Sequence, residues 1–148
     1  MHRVGESVGA DEHARLDAIG NRAALAGPSR PRRSIPEVFS EHLARAPQAV
    51  AVTDGTRSWS YRELEESSNR LAHLLIDFGV GPGHCVALLM ERSARAVVAI
   101  LAVLKTGAAY VPIDPALPDA RIEFMLGDAA PSVVLTTPEL RSRLDDSA

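Results

Sequence analysis

The sequence predicts an α/β fold, a mostly parallel sheet flanked by helices. Three observations carry that expectation. From Cys85 onward, short apolar runs alternate with helix-like periods. One run, CVALL at residues 85–89, is continuous rather than alternating, as a strand buried on both faces requires. And residues 104–114, LKTGAAYVPID, join the end of a long apolar helix pattern to a short strand across a glycine.

Residues 11–19 give a short, charged, helix-like stretch with Leu16 and Ile19 on one side. GNRAALAGPSRPRR follows, rich in Gly, Pro and Arg and without periodicity, so residues 1–33 are expected to be a linker. Arg30, Arg32 and Arg33 form too short a cluster, without an aromatic residue, to predict a nucleic-acid surface. Order is expected from Ser34 to residue 148.

Ser34 and Glu37 are spaced as a capping box, which predicts a helix to about Arg45 with Val38, Phe39, His42 and Leu43 toward the core. Pro47 ends it. Residues 49–53 (AVAVT) and 57–60 (RSWS) flank Asp54-Gly55, a strong hairpin signal. Ser60 and Glu63 form a second capping box. The helix it opens carries Leu64, Leu71, Leu74, Leu75 and Phe78 on one face, and Gly79 suits the left-handed stop.

After the strand at residues 85–89, residues 93–105 read as a helix apolar nearly all round. Residues 109–111 are a short strand that stops at Pro112. A helix with Ile122, Met125 and Leu126 spans residues 119–127, and residues 132–135 form another strand. Thr137-Pro138 opens a last helix containing Leu140 and Leu144.

The chain has 148 residues, enough for one domain with a real core, and its 46% hydrophobic and 24% charged content is ordinary for a globular protein. A net charge of −3 predicts no nucleic-acid partner. The single cysteine, Cys85, excludes an internal disulfide and fits a reducing compartment. No apolar run would cross a bilayer, since residues 94–104 contain Arg95 and end at Lys105. The N-terminus lacks the apolar block of a secretion signal, so a cytoplasmic location is expected, with no membrane partner.

Several residues invite a functional role. Gly79, Gly81 and Gly83 resemble a phosphate loop, but they follow a helix and precede a strand, the reverse of what such a loop needs. His84 and Cys85 are adjacent, so in a strand they face opposite ways. His2, His13, His42 and His73 fall in different segments without ligand spacing, and no metal site is expected. Cys85 begins an apolar strand and reads as a small core residue, not a nucleophile. Fifteen of the sixteen basic side chains are Arg, which leaves Lys105 as the lone lysine. It sits in the last turn of its helix, where a positive charge complements the helix dipole, with Gly107 as C-cap. Asp114 follows a strand of the parallel sheet, where ligands bind, but Pro112 and Pro115 bracket it as a turn residue.

WSYREL (residues 59–64) resembles the first core motif of the adenylation domains of nonribosomal peptide synthetases, usually Leu-Thr-Tyr-x-Glu-Leu. LKTGAAYVPID resembles the second. The stretch between them and the continuation to residue 137 are similar to the same family of adenylate-forming, AMP-binding enzymes. Departures are mild: Trp59 for Leu, His84 for Asp, Thr106 for Ala. Residues 11–25 resemble the join between a condensation domain and an adenylation domain.

The resemblance implies a partial, N-terminal subdomain of the adenylate-forming fold. That family activates an amino acid with Mg-ATP and loads it on the phosphopantetheine thiol of a carrier protein. It does so with a Ser/Thr/Gly-rich loop ending in Lys-Gly, acidic and aromatic nucleotide contacts, and a lysine in a mobile C-terminal subdomain. None of these has a counterpart in the 148 residues, so no catalytic, cofactor-binding or metal residue is assigned. The expectation is a truncated remnant, inactive alone and self-associating through exposed core. The alternatives are one component of a split synthetase and a non-catalytic protein-binding module.

Overall fold

Both capping boxes form in the computed structural model, which describes residues 33–55 and 57–145. The expected linker and the condensation–adenylation join lie outside the described residues, apart from Arg33. Helix α1, Ile35–Arg45, starts where Ser34 Oγ accepts from the Glu37 amide (3.3 Å) and Glu37 Oε2 accepts from the Ser34 amide (2.7 Å). Strands β1, Val50–Asp54, and β2, Arg57–Ser60, pair antiparallel as the predicted hairpin. Gly55 takes the left-handed φ of 59° that the turn demands. Helix α2, Tyr61–Asp77, opens on the second box and ends before Gly79, at φ 81°.

The remaining elements are β3 (Cys85–Leu89), α3 (Ala94–Thr106), β4 (Ala109–Ile113), α4 (Asp119–Ala129), β5 (Val133–Thr136), a 3₁₀ turn (Pro138–Leu140) and α5 (Ser142–Asp145). β4, β3 and β5 make a parallel sheet in that order, so the continuous apolar run is its central strand. The core then divides by strand alternation. Val86 and Leu88 pack with Ala72 and Leu75 of α2 and Ala99, Ala102 and Val103 of α3. Ala87 and Leu89 pack with Ile113 and with Ile122 of α4. Burying a side chain such as Leu75 or Ile122 stabilises by about 1.5–3 kcal/mol.

Four expectations are corrected. The buried face of α2 is Leu64, Ser68, Ala72 and Leu75, while Leu74 is 51% and Phe78 72% exposed. Steps of four, four and three keep the first set on one stripe, and Leu74 lies about 100° around the helix from Leu75. On α1 no residue is fully buried: Phe39 and Leu43 are half-buried, and Val38 and His42 are exposed. β4 runs through Pro112 to Ile113, because an edge strand has one side free of ladder bonds and tolerates proline there. Cys85, at the open end of β3, is half-buried rather than in the core. No helix among the described residues is long and apolar enough to cross a membrane.

Candidate functional site

A parallel sheet presents its ligand-binding ground at the carboxyl ends of its strands. Here a groove of about 770 Å³ opens beyond β3 and β4, with Leu88, Ile100 and Ile113 among its apolar lining and Glu91, Arg92 and Asp114 as its charged residues. The chain leaves β3 through Met90, Glu91 and Arg92 and turns into α3 at Ser93, whose hydroxyl accepts from the Ala96 amide (3.3 Å).

On the β4 side, Asp114 is a turn residue. Its Oδ1 accepts from the Ala116 amide (2.9 Å) and its carbonyl from the Leu117 amide (3.1 Å). Arg143 of α5 then clamps this loop, donating to the carbonyls of Pro115 and Leu117 and to the carboxylate of Asp119.

A second pocket, of about 460 Å³, lies where the hairpin meets the start of α3, with Asp54, Arg57, Trp59, Arg95 and Glu139 in its wall. Asp54 Oδ2 accepts from the Ala94 amide (2.9 Å), and the Arg57 guanidinium lies 4.1 Å over the Trp59 ring. The Glu139 carboxyl is held below the usual carboxylate range by its own backbone amide first and the Thr137 hydroxyl second.

Lys105 points to neither pocket. Its Nζ donates to Glu65 Oε2 (2.7 Å), Ser68 Oγ (2.8 Å) and Asn69 Oδ1 (2.7 Å) of α2, and its side chain is only 13% exposed. An ammonium has three protons to give, and all three are engaged. The residue does sit in the last turn of α3, with Gly107 as a left-handed cap at φ 81°, so the dipole contribution stands beside these bonds.

Several other candidates have local partners, while His2 and His13 lie outside the described residues. The glycine segment connects α2 to β3, with Gly79 and Gly83 at φ 81° and 86°. Its Gly81 amide donates to His84 Nδ1 (3.1 Å). His42 stacks on Tyr61 at 6.0 Å. Among the described residues no group of three His, Cys, Asp or Glu side chains is placed to hold a metal ion.

Three features escaped sequence reasoning: the α2 acceptors of Lys105, the Asp54 cap and the Arg143 clamp. Glu65, Ser68 and Asn69 do form a polar stripe at i, i+3, i+4, which is legible on a helix. What the stripe faces, some forty residues later, is not.

Comparison with known proteins places this geometry. The family described as AMP-binding enzyme matches residues 39–148. Among curated proteins, the chain is 60% identical over 133 residues to an isonitrile lipopeptide synthase of Mycobacterium tuberculosis (strain ATCC 25618 / H37Rv), covering 90% of this chain and 5% of that protein. It is 44% identical over 113 residues to a dimodular nonribosomal peptide synthase of Bacillus subtilis (strain 168), covering 76% of this chain and 5% of that one. Among solved structures, a protein assigned as a long-chain-fatty-acid CoA ligase from Rhodopseudomonas palustris CGA009 superposes with a TM-score of 0.74 at 28% identity, over 80% of this chain and 30% of its own. An anthranilate CoA ligase in complex with anthranoyl-AMP shares the fold at 23% identity and a TM-score of 0.73. This chain thus spans a small part of each relative. It belongs to the AMP-binding enzyme family and corresponds to part of a nonribosomal peptide synthetase adenylation domain.

Proposed function

We propose that these residues are the opening structural layer of an adenylation domain that activates an amino acid as its aminoacyl-AMP and loads it on a carrier protein. In this account they supply the scaffold and leave the chemistry to other segments. One observation carries the proposal. The two charged side chains that looked chemical are committed to internal bonds: Lys105 to three acceptors on α2 and Asp114 to its own turn.

Adenylation needs donors and cations aimed at the transferring phosphoryl and carboxylate groups. The Ser/Thr/Gly-rich loop and Lys-Gly step that provide them in the family have no counterpart in the sequence. Mg-ATP, the amino acid and the carrier thiol therefore engage the complete domain, which in this reading neighbours a condensation domain. In this reading the segment performs no step by itself. The groove beyond β3 and β4, apolar below and charged by Glu91, Arg92 and Asp114, is the surface on which those further segments build.

Complementation tests this. The purified chain is mixed with the remainder of a related adenylation domain from which the matching segment has been deleted. Amino-acid-dependent ATP–pyrophosphate exchange is expected only from the pair. A remainder as active without the chain as with it refutes the scaffold role. So does a pair that associates and still shows no exchange.

A further inference from the structure

We infer that Lys105 sets the register of α2 against α3 and makes residues 59–64 and 104–114 one mechanical unit. The first segment fixes where α2 begins, because Ser60 and Glu63 lock its opening turn. Once that phase is set, Glu65, Ser68 and Asn69 fall on one stripe of the helix. The second segment brings the Lys105 ammonium to that stripe at 2.7, 2.8 and 2.7 Å.

The socket is also tied together within α2. Asn69 Nδ2 donates to Glu65 Oε1 (3.1 Å), which turns the amide oxygen toward the ammonium. The Ser68 hydroxyl donates to the Glu65 carbonyl (3.1 Å), which leaves its lone pairs for the same proton donor. Phe39 closes the ring: its centroid is 5.8 Å from Nζ and 5.3 Å from the ring of Tyr61, inside the first segment.

A shift of the stripe by one residue in either direction loses these partners. Moving the stripe one residue forward gives Glu66, Asn69 and Arg70, which sets a guanidinium against the ammonium. Moving it one back gives Leu64, Ser67 and Ser68, which leaves the charge without a carboxylate. A largely buried charge punishes such mismatches heavily, and fixing register is the best-attested use of a buried ionic contact.

Because the sequence holds a single lysine, its state can be read by amine acylation with an N-hydroxysuccinimide ester of acetic acid, followed by peptide mapping. In the folded chain Lys105 should acylate at least about a hundredfold more slowly than in the chain unfolded by guanidinium, since reaction requires local opening. Glu65→Gln and Asn69→Leu should each raise the native rate while the circular dichroism spectrum is kept. The melting temperatures of Lys105→Met, Glu65→Gln and the double variant should be non-additive, the double losing less than the sum.

Native acylation as fast as in the unfolded chain overturns the inference. Unchanged protection in both socket variants overturns it too, because burial alone then explains the slow rate. Should Lys105→Met fail to fold, the acylation rates of the wild-type chain and the two socket variants decide.

Discussion

Asp54 Oδ2 accepts the Ala94 amide at 2.9 Å, so the last residue of a hairpin strand caps a helix forty residues away. The first amides of a helix have no partner within it, and Ser93 satisfies only that of Ala96. Replacing Asp54 with Ala should therefore cost about 1 kcal/mol, measured as a shift in the urea midpoint, while Asp54→Asn retains most of it. An Asp54→Ala midpoint equal to that of the natural chain would contradict the cap.

Acid should weaken the start of α2 through Glu63. Its carboxyl is held below the ordinary 4.5 first by the Ser60 amide, then by the Ser60 hydroxyl, with a smaller contribution from Arg57. A folded-state pKa below the unfolded one means stability that is present above the unfolded value and lost as pH falls through the folded one. The window thus opens near 4.5 and extends downward. Glu63→Gln keeps a capping box but cannot titrate, so its urea midpoint should fall less steeply below about pH 5 than that of the natural chain. Parallel curves would contradict this assignment.

The corrected face of α2 separates two adjacent leucines. Leu75 is 1% exposed and Leu74 51%. Leu75→Ala should cost about 2–5 kcal/mol, because it opens a cavity in the buried cluster that Leu75 shares with Val86, Ala99 and Val103. Leu74→Ser should stay within about 0.5 kcal/mol. Comparable losses from both would mean that α2 is rotated about its axis, with Leu74 turned toward α3 and the sheet.

Much of this architecture was legible because its signals are local. Ser34–Glu37 and Ser60–Glu63 read as helix starts, Gly55 and Gly79 as turns, and CVALL as the central strand, since each depends on neighbours within a few residues. The errors came where tertiary packing chose among apolar residues. Leu74 and Phe78 look as suited to a core as Leu64, but the face buried against α3 and the sheet carries small Ser68 and Ala72 between its leucines. Pro112 looked like a strand end because edge position is a property of the sheet, not of the segment. The engagement of Lys105 was invisible for the same reason: its acceptors lie 36 to 40 residues earlier.

The central claim is that these 148 residues are scaffold and carry no adenylation chemistry of their own. Amino-acid-dependent ATP–pyrophosphate exchange by the purified chain, assayed across the common amino acids, tests it most directly. A scaffold shows no exchange above the rate without amino acid, and that is the predicted result. Exchange that rises with one amino acid and survives repurification would contradict it.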